Sequence, residues 1–213
     1  MEVRVVKRTI ILSVLASLLG LVASAQASER LIGTDWVTAK MGYMSFPSDF
    51  DPIDTGWAFS GMGNWNVMDQ LDVQGGLVYA WADDGGVELT ITTINADALY
   101  FFQPNNSIKP YLKGGLAMVW TDVEVGGTST DDSNLGYGAG GGAEFAMGDK
   151  AVMQLEGKYF VIDSDESFGM EARMAYAFTP KLLGDVSLNY NFDTEITIFS
   201  FGIVYRLNGN RRR

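Results

Sequence analysis

Histidine and cysteine are both absent from the 213 residues of this chain. Without histidine, the chain cannot build a Ser-His-Asp triad, a Cys-His dyad or an imidazole metal site. Without cysteine, it can form no disulfide, zinc knuckle or redox-active thiol pair. We therefore expect a protein that is not an enzyme and that carries no cofactor.

Basic residues are scarce. The chain has 15 lysines and arginines against 26 aspartates and glutamates, which gives a net charge of −11. Because nucleic-acid affinity comes largely from basic side chains on phosphates, we expect no nucleic-acid partner. Glycine, in contrast, is abundant at 25 residues, while charged residues make up only 19%. These values favour an all-β protein with glycine inside its strands over a helical bundle or a disordered acidic chain.

The N-terminus has the order of a secretory signal. Basic residues at Arg4, Lys7 and Arg8 precede an apolar stretch, 10–22, and small residues stand at Ala25 and Ala27. The apolar stretch is short for a membrane-spanning helix, which needs about 20 residues. We therefore predict a cleaved signal peptide over residues 1–27 and a single exported domain over residues 28–213.

The remaining chain is divided by turn-forming residues into segments that we predict as ten strands. Their predicted bounds are 35–46, 55–67, 71–82, 87–102, 108–125, 135–147, 151–162, 168–178, 182–192 and 196–207. The short connections permit antiparallel neighbours and exclude parallel crossovers. The expected fold is all-β, an antiparallel up-and-down barrel.

The alternation within the strands indicates which face is apolar. In segment 108–121, one face is almost continuously apolar, whereas the other carries small residues with isolated charges such as Lys109 and Lys113. An outer-membrane barrel has this inverted pattern, with apolar side chains facing lipid and small or polar ones facing inward. Aromatic residues lie near strand ends, as interfacial girdles require: Trp57, Trp81 and Trp120 near one rim, and Trp65, Tyr100 and Tyr205 near the other. A soluble exported β-barrel that binds a small apolar ligand inside is the alternative.

Three segments carry a resemblance to a known family. Residues 109–117 (KPYLKGGLA), residues 136–144 (GYGAGGGAE), and the turn 148–150 leading into 154–159 (QLEGKY) resemble small outer-membrane β-barrel proteins with the OmpA-type transmembrane barrel. The resemblance implies a porin-like barrel in the outer membrane of a Gram-negative-type bacterium. It implies as partners outer-membrane lipid, lipopolysaccharide, periplasmic chaperones and the barrel-assembly machinery. Such barrels commonly have eight strands, which is the alternative to our ten.

The inward faces carry as many acidic as basic residues. These ten candidate site residues are Lys40, Asp72, Lys109, Lys113, Glu144, Glu156, Lys158, Glu171, Arg173 and Asp185. A barrel of this size is narrow enough for side chains to fill it, and buried charges are very costly unless they are paired. We therefore expect a structural or narrow-pore protein with a lumen closed largely by ion pairs. A gated ion path is the alternative.

The other acidic residues cluster in the loops that face outward when the N-terminus is on the inner side. Four of them, Asp131, Asp132, Asp163 and Asp165, are candidates for weak divalent-cation sites shared with lipopolysaccharide phosphates. They do not match an EF-hand, because Phe168 stands at its sixth position, which requires glycine. A surface that is merely solvated is the alternative.

Overall fold

The computed structural model of the chain describes residues 30–50, 52–102 and 108–207, except for the side chain of residue 49. The predicted signal peptide, residues 1–27, lies outside the described residues. No helix in these described ranges is long and apolar enough to cross a membrane.

Ten strands make up most of the described chain. They are β1 (Trp36–Ser45), β2 (Thr55–Met68), β3 (Leu71–Asp84), β4 (Val87–Phe101), β5 (Ile108–Val125), β6 (Thr128–Met147), β7 (Ala151–Ile162), β8 (Asp165–Ala177), β9 (Leu182–Asn191) and β10 (Thr197–Arg206). A short 3-10 helix, Ser48–Phe50, lies between β1 and β2.

Two strands begin earlier than predicted, because two-residue turns allow their hairpins to pair further. β6 starts at Thr128 rather than Leu135, since Gly126 and Gly127 adopt φ angles of 58° and 83° and place Thr128 opposite Val125. A turn with two positive φ angles matches the twist of the flanking strands. β8 likewise starts at residue 165 rather than 168, after a turn with positive φ at residues 163 and 164.

Each strand pairs with its neighbours in sequence, and β1 pairs with β10 to close the barrel. All pairs are antiparallel, and the closing pair runs in unbroken register from Trp36 opposite Arg206 to Ser45 opposite Thr197. The antiparallel up-and-down barrel of ten strands is therefore confirmed, and the alternative of eight strands is wrong. Each short connection brings the chain back beside the strand it has just left.

The barrel is apolar on its outer surface, whereas its buried polar and charged side chains face the lumen. On β5, Leu112 and Leu116 are 58% and 57% exposed, whereas the alternating Lys109 and Tyr111 are buried. A soluble barrel would need the opposite arrangement, so the alternative of a soluble exported barrel that binds an apolar ligand inside is wrong. The outward apolar band is what a lipid-facing wall requires.

Aromatic side chains form a girdle at each rim. Near one rim, Trp57 lies opposite Trp81, and the ring of Tyr43 meets Trp57 edge-on at 5.6 Å between centroids. Near the other rim, Trp65 and Tyr205 are exposed on the outer surface. Amphipathic rings at these two levels fit the two interfaces of a bilayer.

The two ends of the barrel differ. We call the end with Trp36 and Arg206 the termini end, and the end where β1 connects to β2 the loop end. Inside the termini end, buried apolar residues pack in two clusters: Leu31, Trp36, Val152, Ala175, Ala177, Leu183 and Val204 in one, and Ile32, Leu99, Phe101 and Tyr111 in the other. Inside the loop end, a third cluster contains Met44, Phe46, Ile53, Ala58, Ala80 and Ala82. Charged residues lie between the two ends of the lumen and also among the apolar residues of the termini end, where Asp72 is opposite Leu99.

Candidate functional site

The lumen is the candidate site, and it holds all ten predicted charged residues. They form two ion-paired groups and a third group that binds the main chain. Several are almost completely removed from solvent: Asp72, Lys109, Glu144, Arg173 and Asp185. The strands bring together residues that are far apart in sequence.

The first group joins β1, β8 and β9 around Asp185. The Arg173 guanidinium donates to one carboxylate oxygen of Asp185 from Nε at 2.8 Å and from Nη2 at 2.5 Å. Lys40 Nζ lies 3.3 Å from the other oxygen of Asp185 and 3.8 Å from Glu171. The Arg173 guanidinium also covers the ring of Trp36, with Cζ 4.9 Å from the ring centroid. Two bases and two acids therefore neutralise each other in a small volume.

The second group joins β4, β5 and β7. Lys113 Nζ lies 3.2 Å from Glu156 and 3.7 Å from Asp97, and Lys158 Nζ lies 3.1 Å from Asp97. The hydroxyl of Tyr111 donates to Glu156 at 2.9 Å. These contacts give each charge at least one partner of opposite sign or a hydrogen bond, as a buried charge requires.

Sequence reasoning missed Asp97, which accepts a hydrogen bond from Lys158 and forms an ion pair with Lys113. The inward face of β4 also carries Leu89 and Ile91 at its loop end, which pack against the apolar cluster there. Because β4 is apolar on parts of both faces, its alternation is weak. Asp97 could have been found from its pairing with Gly115 on β5. Paired residues of neighbouring strands face the same side of the sheet, and Gly115 faces inward.

The third group, Glu144, Lys109 and Asp72, was expected to form ion pairs and instead binds the main chain of residues 30–34. Glu144 accepts from the amides of Leu31 and Ile32, both at 3.0 Å. Asp72 accepts from the amide of residue 33 at 2.7 Å, and Lys109 donates to the carbonyl of Ile32 at 2.7 Å. Lys109 makes this bond although it lies directly opposite Glu144 in the register.

Residues 30–34 therefore belong to the site, and sequence reasoning did not find them. Gly33 and Thr34 indicate a turn, but no alternation places the segment in the lumen, since it precedes the first strand and contains a single charge, Arg30. Arg30 lies 4.0 Å from Glu144, the limit of an ion pair.

Inward glycines make room for the long side chains of neighbouring strands. A Cβ atom on Gly138 would lie 3.0 Å from Cε of Lys158, and one on Gly142 would lie 2.9 Å from the hydroxyl of Tyr111. The same Cβ on Gly142 would come within 2.0 Å of a β7 carbonyl oxygen. The glycine-rich part of β6 thus allows Lys158 and Tyr111 to enter the lumen.

A cavity of about 290 Å³ remains between the groups. Charged side chains line one part of its wall, among them Lys40, Lys113 and Glu171, while Met62 and Val78 line another part. The volume suits roughly ten water molecules or a small solute, since a water occupies about 30 Å³ in the liquid.

Comparison with known proteins decides the class. A family model described as "Outer membrane protein beta-barrel domain" matches residues 13–211. The chain belongs to this family. A search of curated proteins finds no match.

Three solved structures illustrate the barrels to which this outer-membrane β-barrel protein is similar. Neisserial surface protein A has 16% identity, with 81% of this chain and 97% of that chain covered, at a TM-score of 0.45. The translocator domain of the autotransporter NalP from Neisseria meningitidis has 8% identity, with 97% and 98% covered, at 0.46. Ail, the attachment invasion locus protein of Yersinia pestis, has 13% identity, with 82% and 99% covered, at 0.40.

The acidic residues of this outer-membrane β-barrel protein gather at the loop end, but not all where we predicted them. Asp131 and Asp132 lie on β6 rather than in a loop, and Asp131 is opposite Asp122. The prediction of a loop was wrong because the two-glycine turn extends the hairpin. Asp163 lies in the turn before β8, and Asp165 is the first residue of that strand. In the described part of the chain, no three acidic side chains form a group that could hold a metal ion, and the cation sites stay a prediction.

Proposed function

We propose that this protein is a structural outer-membrane barrel whose lumen is closed to bulk flow by ion pairs, with at most a narrow pore. The observation that carries the proposal is the pairing of the Arg173 guanidinium with the buried carboxylate of Asp185. The second ion-paired group, around Lys113, supports it in the same way. Side chains held by partners of opposite sign resist displacement, because an unpaired buried charge is costly.

The ends of the lumen also support closure. Residues 30–34 fill part of the termini end, and the apolar cluster with Phe46 and Ile53 lines the loop end. An ion crossing the barrel would have to pass both and separate ion pairs between them. Inward side chains fill much of a barrel of this size, and a cavity of about 290 Å³ remains between the groups.

The proposed setting follows from the charges at the two rims. We place the acidic loop end outside the cell, beside lipopolysaccharide, where divalent cations bridge carboxylates and lipid phosphates. Export would use the signal peptide, residues 1–27, and insertion would use periplasmic chaperones and the barrel-assembly machinery. Nucleic acid is no partner in this proposal, given the net charge of −11.

The proposal gives the protein no catalytic role. The chain has no histidine and no cysteine to act as a general base or a thiol nucleophile. The lumen carboxylates Glu144 and Glu156 are already engaged by hydrogen bonds. This arrangement suits a structural role better than proton transfer.

Conductance in a planar bilayer tests the proposal. We expect the refolded, unaltered protein to show no large steady current. Glu156→Gln should admit more ions, because it removes the charge that holds Lys113 while the hydrogen bond from Tyr111 can persist. Glu166→Gln, at an exposed position near the loop end, is the matched control and should leave the current unchanged. A large steady current through the unaltered protein would overturn the proposal.

A further inference from the structure

Residues 30–34 enter the termini end of the lumen without joining the sheet. They precede β1, and the barrel closes through the β1–β10 pair without them. The side chains of the barrel wall therefore hold this segment, and no strand ladder does.

The main chain of the segment is bonded along its length. Beyond the contacts of Glu144, Asp72 and Lys109, the indole nitrogen of Trp36 donates to the carbonyl of Leu31 at 3.0 Å. The side-chain amide of Asn64 donates to the carbonyl of Thr34 at 2.7 Å, and Arg206 donates to the carbonyl of Arg30 at 3.0 Å. Recognition of amides and carbonyls in this way is what a peptide segment outside any strand or helix needs when it leaves water.

The side chains of the segment are also recognised. Leu31 is 1% exposed and packs in the cluster with Trp36, whereas Ile32 is 2% exposed and packs with Phe101. Gly33 has a φ of +80°, and a Cβ there would lie 3.3 Å from both Lys109 Nζ and the Phe101 ring. The termini end therefore presents two apolar pockets followed by a position that favours glycine.

We propose that the termini end of the lumen is a binding site for a short apolar peptide turn, and that residues 30–34 occupy it as a reversible plug. Glu144, Asp72 and Lys109 are the residues that bind its main chain. The segment can leave without breaking any strand pairing. Lys109 lies opposite Glu144 in the register, so these two charges have each other as partners once the segment is gone. Lys109 and Glu144 therefore bind the main chain of the segment when the site is occupied, and they bind each other when it is empty.

The closing role of the plug rests on the proposed function, but its binding is tested separately. Because the chain has no cysteine, single-cysteine variants of the full-length protein in detergent can be labelled with a water-soluble maleimide. We expect Ile32→Cys to react much more slowly than Asp69→Cys, which is exposed in a turn at the same end. Glu144→Gln added to Ile32→Cys should speed the labelling, whereas Glu171→Gln, which weakens the lumen ion pair with Lys40, should not.

A second pair of variants, both at glycines, tests the inference if Glu144→Gln fails to fold. Gly33→Ala should also speed the labelling of Ile32→Cys, because the new methyl group meets Lys109 and Phe101. Gly86→Ala is its control, since Gly86 has a similar φ of +82° but nothing within 4 Å of a Cβ. The gel mobility of unboiled samples reports whether each barrel has folded.

Two results would overturn the inference: labelling of Ile32→Cys as fast as that of Asp69→Cys, or labelling that neither Glu144→Gln nor Gly33→Ala accelerates. The current through the unaltered protein answers a different question. If the unaltered protein carries no steady current and neither variant accelerates the labelling of Ile32→Cys, only the inference is contradicted. A conducting protein contradicts the proposed function, even where the labelling pattern supports the site.

Discussion

Charges are numerous both in the lumen and on the outer wall of the loop end, yet the two regions arrange them in opposite ways. In the lumen, Arg173 contacts Asp185 and Lys113 contacts Glu156. On the wall, acid lies opposite acid, as with Glu88 and Glu124. Every buried charge in the first region has a partner, while the second tolerates like charges side by side.

Burial explains the difference. Asp185 is almost fully buried, whereas Glu88 and Glu124 are exposed. Water and salt screen exposed charges beyond about 8 Å at physiological ionic strength, but they reach a buried pair far less. The barrel therefore needs bases where its acids are buried and can omit them where solvent surrounds the acids.

The largest effect should come from breaking a lumen pair. Arg173→Met leaves the buried Asp185 with Lys40 alone, and we expect the free energy of unfolding to fall by about 3–5 kcal/mol. Urea titration of the barrel in detergent, followed by tryptophan fluorescence, measures it. Lys181→Met, at an exposed turn position, should change stability by less than about 0.5 kcal/mol. Equal losses of unfolding free energy in the two variants would contradict the distinction between buried and exposed charges.

The outward face provides an intermediate effect. Leu116→Arg places a charge in the apolar band and should cost about 2–4 kcal/mol near the bilayer midplane. Ala117→Arg, on the inward face of the same strand, should act by crowding the lumen. Leu135→Arg, outward but closer to the loop end, should cost about 0–1 kcal/mol. Unfolding in lipid vesicles measures all three, and indifference at both Leu116 and Ala117 would contradict the lipid-facing assignment.

A smaller effect should follow from reversing one charge on the loop-end wall. Glu124→Lys turns the acid pair with Glu88 into an ion pair and should stabilise the barrel by about 0.2–1 kcal/mol. High salt should remove the gain, since both residues are exposed. Glu166→Lys, which lies opposite Val161, is the control and should give no such gain. A gain that persists in high salt would show that the wall is not governed by screened charges.

The smallest effect concerns divalent cations. We expect millimolar Ca²⁺ or Mg²⁺ to raise the melting temperature in detergent more than NaCl of equal ionic strength, because a divalent ion relieves repulsion among clustered carboxylates. Replacing Asp131, Asp132, Asp163 and Asp165 with Asn should abolish most of the difference. Identical melting in Ca²⁺ and matched NaCl would mean that these carboxylates are merely solvated.

The sequence predicted the strands and the direction their side chains face better than it predicted the contacts inside the lumen. Strict alternation on β5 correctly predicted that Leu116 faces outward and Lys113 inward, because successive residues of a strand face opposite sides of the sheet. Asp97 was missed where β4 lacks that alternation. The binding of residues 30–34 by Glu144 depends on three-dimensional proximity, which no local pattern encodes. The length of β6 was missed because the reach of a hairpin depends on the geometry of its turn at Gly126.

The central claim, that the charges of the two ion-paired lumen groups hold each other, is tested most directly by a double-mutant cycle on Arg173 and Asp185. Unfolding free energies are measured for the unaltered protein, Arg173→Met, Asp185→Asn and the double variant. The account predicts a coupling energy near the upper end of the 0.5–3 kcal/mol range seen for contacting residues. Additive effects, with a coupling energy below about 0.5 kcal/mol, would contradict it.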